Sequence, residues 1–219
     1  MPKPKLISFK VCPFVQRSVI LLKEKNVDYD IEFIDVYNPP EWFLELSPTG
    51  KVPVLVVDDT VIFESAVIGE YIEEVYPPAL HPTDPVLKAQ NRAWMEYTSP
   101  LYMGFFGVIM AQDQVEVDEA MQEMDKNLAG LAVANTNQPW FNGDDFSMVD
   151  IAVAPFFVRA AFVKKHVGVD FLASHPTLQA WSDKTLVRQS VIDSTVNGFD
   201  KMMLKMMAAK NSFLLESNS

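Results

Sequence analysis

The chain has 219 residues, 49% of them hydrophobic, and carries a net charge of −11 from 18 Lys+Arg against 29 Asp+Glu. The apolar content excludes a disordered chain, and the acidic balance opposes binding to nucleic acid or to an anionic membrane surface. The single cysteine, Cys12, excludes an intrachain disulfide. With no signal-peptide pattern in MPKPKLISF and no apolar run of bilayer length, a reducing cytoplasm is the expected location.

In chain order, LISF (6–9) reads as a buried strand and FVQRSVILLKEKN (14–26) as a helix, with Phe14, Val19 and Leu22 at helical spacing and Asn26 ending it. DIEFIDV (30–36) alternates as a second strand. VPVLVVDD (52–59) is a third, turning at Asp58-Asp59 into VIFE (61–64). Ser65 caps the next helix, AVIGEYIEEVY, which Pro77-Pro78 stops. The pattern fits a four-stranded mixed sheet with helices against it, an α/β unit over residues 1–80. After a Pro-rich connector (81–88), helical patterns cover 85–111, 115–134, 148–165, 176–187 and 190–209, so residues 89–219 read as an all-helical domain. Ser147 and Asp150 have the spacing of a capping box, flanked by Phe146 and Ile151 as a hydrophobic staple.

Cys12 stands where a strand gives way to a helix, and Pro13 suits a first helical turn because its missing N–H leaves nothing unpaired. A thiol there faces free amides and the positive end of the helix dipole, so its pKa is expected to fall below the ordinary ~8.5. The alternative is an inert buried cysteine. Position four of CPFV is Val15, so no resolving thiol exists, and single-thiol chemistry needs an external low-molecular-weight thiol. In GKVPVL, a turn at Val52-Pro53 offers backbone groups to an extended peptide. At Glu64-Ser65, Ser65 and the first helix amides make a carboxylate site, while Glu64 suits an ammonium group. A γ-glutamyl tripeptide thiol has parts complementary to all three.

CPFVQRS, PPEWFLELSPTGKVPVL, ESAVIGEYIEEVYP and FNGDDFSMVDIAVAP together resemble the cytosolic glutathione transferase superfamily. Within it, the resemblance is strongest to the cysteine-bearing omega class and the related dehydroascorbate reductases. It implies a thioredoxin-like N-terminal domain holding glutathione as cosubstrate, followed by an all-α domain, with no metal. By the same resemblance, Cys12 forms a mixed disulfide with glutathione, Val52 pairs with its cysteinyl backbone before a cis Pro53, and Glu64 and Ser65 take the γ-glutamyl end. Phe14 walls the site. The omega-pattern lysine before PEWF is replaced here by Pro39, leaving Lys51 either to reach the glycyl carboxylate or to stand solvated.

A cysteine in place of a Tyr or Ser hydroxyl bonds to the ligand sulfur, which favours thiol transfer over conjugation to aryl halides. Tyr102, Phe105 and Phe106 in PLYMGFFGVIM are candidates either for the wall of an apolar or aromatic acceptor pocket or for ordinary packing. The methionine-rich GFDKMMLKMMAAKNSF either covers that pocket or packs on the domain. The alternatives are a dehydroascorbate reductase and a non-catalytic interaction module of the starvation-response, polymerase-binding type. A homodimer is the expected assembly, without nucleic-acid or membrane partners.

Overall fold

A computed structural model describes residues 3–135 and 139–216. Strand β1 (Lys5–Ser8) leads into helix α1 (Pro13–Glu24), then β2 (Asp30–Phe33), α2 (Glu41–Leu46), β3 (Val54–Val57), β4 (Thr60–Phe63) and α3 (Ser65–Val75). The sheet order is β2-β1-β3-β4, with β1 parallel to β2 and antiparallel to β3, and β3 antiparallel to β4. Successive side chains point to opposite faces. Leu6 and Leu55 therefore join the large core shared with the helical half, while Ile7 and Val54 join Phe43 of α2 and Ile34 in a smaller core on the other face.

Helix α2 lies where the sequence reading placed only the PEWF motif. It is short and keeps one wholly buried anchor, Phe43, between exposed Trp42 and Leu44, so it shows no extended periodicity. Asn26 and Asp58 adopt left-handed φ of 52° and 52° at the turns that close α1 and join β3 to β4.

The remaining elements are helical: α4 (Pro85–Tyr97), α5 (Ser99–Met110), α6 (Gln114–Ala134), α7 (Met148–Val167), α8 (Pro176–Leu186), α9 (Gln189–Ser194), α10 (Phe199–Ala209) and α11 (Phe213–Glu216). Two of the expected continuous helices are each divided. Pro100 cannot continue α4, so Thr98 closes that helix with its hydroxyl on the Met95 carbonyl at 2.7 Å, and α5 restarts. Gly198, at φ 77°, separates α9 from α10. Helix α7 is the buried axis of this half and packs against α1. Its capping box is closed by Asp150 Oδ2, which accepts from the Ser147 amide at 2.7 Å and hydroxyl at 2.6 Å. Oδ1 accepts from the Phe141 amide and from Trp181 Nε1, so the cap also ties α8 to α7. Among the described residues, no helix is long and apolar enough to cross a membrane.

Candidate active site

Antiparallel pairing brings three separate loops to one edge of the sheet. The registers Ile7↔Val54 and Val54↔Phe63 place the end of β1, the start of β3 and the end of β4 together. Cys12 follows the first, Val52-Pro53 precedes the second and Glu64-Ser65 follows the third.

Cys12 is extended (φ −74°, ψ 123°), its amide donates to the Phe9 carbonyl at 3.1 Å, and Pro13 begins α1 beneath it. The amides of Val15 and Phe14 and the charges of Arg159 and Arg17 favour the thiolate, but burial outweighs them and pushes the Cys12 thiol up. This corrects the expectation of a depressed pKa: the helix terminus acts as expected, while the desolvation that opposes it is not written in the local sequence. Phe14, half-buried, lies edge-to-face with Tyr102 at 5.0 Å, and the Arg17 guanidinium carbon stands 5.4 Å from the Phe14 ring centroid.

The Val52–Pro53 peptide bond is cis. No backbone hydrogen bond joins Val52 to the described residues, so its N–H and C=O remain available to a peptide laid alongside. Lys51 is exposed beside it. Glu64 is also exposed and holds φ 68°, a conformation that costs a non-glycine residue roughly 1–3 kcal/mol and turns the chain sharply into α3.

Ser65 is buried, and its Oγ accepts from Arg17 Nε at 3.0 Å and Nη2 at 2.6 Å. A hydroxyl has two acceptor lone pairs and one proton to donate. With both lone pairs engaged, the Ser65 O–H is left to donate, and among the described residues nothing accepts it. Arg17 Nη1, also buried, has no partner either. Arg17 therefore leaves Ser65, at the start of α3, as a donor with positive charge beside it.

Cys12 opens onto a cavity of about 150 Å³ shared with Ser8, Gln16, Tyr29, Ser194, Thr195 and Phe199. Adjoining it through Lys10 and Phe33 is a larger apolar groove of about 720 Å³, walled by Phe9, Val11, Tyr37, Met202 and Met206. Tyr102 and Phe105 line neither. Both are fully buried, and the Tyr102 hydroxyl donates to the Ala152 carbonyl in the turn that Pro155 deprives of an amide donor. Phe106 is half-buried against Phe105 at 5.2 Å. Tyr102 and Phe105 are thus core residues, while Phe106 keeps partial exposure. The methionine-rich helix packs on the domain through Met203 and Met207, while Met202 and Met206 wall the groove rather than covering a pocket at the α5 aromatics. Arg159 escaped the sequence reading, although one charge inside the apolar run IAVAPFFVRAAFV is itself a sign of a buried cation. Among the described residues, no group of His, Cys, Asp and Glu side chains comes together to hold a metal.

A thiol at a strand–helix junction, a cis proline before the third strand and a following helical domain define a thioredoxin-like unit joined to an all-helical one. Residues 11–75 match the family model "Glutathione S-transferase, N-terminal domain" and residues 109–184 match "Glutathione S-transferase, C-terminal domain". The chain belongs to the glutathione S-transferase family. It is 33% identical over 181 residues to glutathione S-transferase omega-1 of Rattus norvegicus, covering 81% of this chain and 74% of that one. It is 33% identical over 144 residues to the chloroplastic glutathione S-transferase DHAR3 of Arabidopsis thaliana, covering 66% of this chain and 53% of that one. Among solved structures, glutathione transferase Omega 3C of Trametes versicolor superposes with a TM-score of 0.79 at 28% identity, over 89% of each chain.

Proposed function

We propose that the protein is a glutathione-dependent thioltransferase or reductase in which Cys12 carries glutathione as a mixed disulfide. The observation that carries this reading is the convergence, at one sheet edge, of a thiol without a resolving partner, the unpaired Val52 backbone and the Arg17-backed Ser65 donor. Glutathione fits these in order. Its γ-glutamyl carboxylate meets Ser65 and its ammonium meets Glu64, its cysteinyl backbone pairs with Val52 ahead of Pro53, and its sulfur reaches Cys12 beside Phe14. Lys51 stands near the glycyl carboxylate.

The Cys12 thiolate attacks the glutathionyl sulfur of a mixed disulfide. A Cys12–glutathione bond forms, and the acceptor leaves as its thiolate. A second glutathione thiolate then attacks that glutathionyl sulfur, releasing oxidised glutathione and restoring the Cys12 thiolate. The apolar groove of Phe9, Phe33, Tyr37, Met202 and Met206 suits an apolar or aromatic acceptor. The reading places the glutathione domain at residues 1–80, the linker at 81–88 and the acceptor-side helical domain at 89–219, in a cytoplasmic homodimer. Exposed Phe63 and Val67 of β4 and α3, with Val86 and Leu87 of α4, support pairing with a second copy, which sedimentation at low concentration tests.

Cys12→Ala is expected to reduce glutathione-dependent turnover of a hydroxyethyl mixed disulfide to background, while binding to immobilised glutathione persists. Full activity in Cys12→Ala would sink the mechanism. A wild-type chain with neither binding nor turnover would point to the interaction module instead. Relative rates on dehydroascorbate and on the disulfide separate the reductase from the thioltransferase.

A further inference from the structure

Arg159 belongs to the helical half, on α7, and is 0% exposed, yet its guanidinium reaches the helix that carries the thiol. Its Nη2 donates to the carbonyl of Val11, the residue before Cys12, at 2.6 Å. Nη1 donates to Gln16 Oε1 at 2.7 Å and to the Pro155 carbonyl at 2.7 Å. Gln16 passes the connection on, with Nε2 donating to Ser194 Oγ at 3.1 Å and Thr195 Oγ1 at 3.2 Å. The guanidinium carbon also lies 5.4 Å from the Phe199 ring centroid. Every one of these partners is neutral, Nε has none, and among the described residues no carboxylate pairs with Arg159.

A guanidinium withdrawn from water costs heavily unless negative charge compensates it. The charged and titratable groups facing Cys12 are Arg159 from α7, Arg17 from α1 and Tyr102 from α5, with Lys10, Lys23, Tyr29 and Asp193 around its cavity. Few of these can supply an anion to Arg159. The Tyr102 hydroxyl is committed to the Ala152 carbonyl, and burial pushes its pKa up; burial does the same to Tyr29. Asp193 is exposed on α9 and accepts from Gln189. The thiol of Cys12 is the remaining group.

We propose that Arg159 is a positioning residue for Cys12: its carboxylate-free charge is balanced when the thiol ionises, and its fork fixes the Val11–Cys12 backbone against the helical half. Burial pushes Arg159 down to about 10, against which Cys12 and Tyr102 act. The helical domain thereby offsets, through Arg159, part of the desolvation of the thiol.

The inference rests on Cys12 being the working nucleophile, but its test needs no turnover. Because the chain has one cysteine, the pH dependence of its alkylation by iodoacetamide titrates Cys12 alone in the full-length protein. Arg159→Met is expected to raise the midpoint by about one pH unit or more and to slow alkylation at neutral pH about tenfold, in a protein whose circular dichroism shows it folded. Arg159→Lys keeps the charge and loses the fork, so a lower melting temperature with a near-wild-type midpoint is expected. A folded Arg159→Met with an unchanged midpoint overturns the proposal. Should Arg159→Met fail to fold, Arg159→Gln, which keeps a hydrogen-bond donor and removes the charge, decides: a raised midpoint supports the proposal and an unchanged one overturns it. A wild-type chain inactive with glutathione would refute the proposed reaction while leaving this titration readable.

Discussion

The two ends of α1 treat charge in opposite ways. Just beyond its C-terminal end, the Lys25 ammonium, with a side chain 0% exposed, pairs with Glu73 and donates to the carbonyls of Tyr76, at 2.8 Å, and Pro78. Glu73 also accepts from the amides of Leu80 and His81, at 2.6 and 2.8 Å. Glu24 receives both donors of Arg188, at 2.7 and 2.7 Å, and the Ser190 hydroxyl. Lys25, Glu73 and Glu24 each have an opposite charge beside them, and the result binds α1, the connector and the helical half together. At the N-terminal end, among the described residues, Arg17 and Arg159 are buried without a carboxylate, Arg17 Nη1 has no partner, and nothing accepts the Ser65 O–H. Closed charge sets build scaffold, whereas charge left open inside a protein marks a working site, completed on the proposed reading by the ligand at Arg17 and Ser65 and by the Cys12 thiolate at Arg159.

That contrast can be broken from either side. The largest effect is expected at the closed end. Glu73→Ala strands the Lys25 ammonium and should cost about 3–5 kcal/mol of unfolding free energy by urea titration, with no change in the Cys12 alkylation midpoint. A shifted midpoint would mean that the two ends are coupled. At the open end, Ser65→Ala removes a donor to a charged carboxylate and should raise the KM for glutathione about tenfold or more, with a loss of stability as well because the buried Arg17 loses both its hydrogen bonds. An unchanged KM would remove Ser65 from the site. Lys51→Ala gives the smallest change, a KM rise of roughly fivefold at most, because an exposed pair contributes about 0–1 kcal/mol. A larger rise would show that the glycyl carboxylate is held more firmly than an exposed lysine allows.

Much of this arrangement was legible locally. Cys12-Pro13 at a strand–helix junction, the Val52-Pro53 turn and Glu64-Ser65 each announce themselves within a few residues, since helix starts and strand starts have short-range chemistry. The Ser147–Asp150 cap is legible for the same reason, although its bonds to Phe141 and Trp181 are not. Helix α2 was hidden because a single anchor, Phe43, holds it. The aromatics of α5 were ambiguous because an apolar helix packed on several sides has no polar face to orient it.

The sequence by itself determined the layout: one thiol, no resolving partner, a mixed sheet followed by helices, and three loops bearing groups complementary to a γ-glutamyl thiol. Tertiary structure alone decided the electrostatics. Whether Cys12 is raised or lowered, and which cation faces it, depends on burial in the folded chain and on Arg159, which lies 147 positions along the chain from Cys12. Capping and turn preferences act over a few bonds and so are written locally, whereas desolvation sums over everything that folding brings near a group. The same holds for the apolar groove, whose walls come from both halves of the chain and meet only when α10 lies against the end of β1.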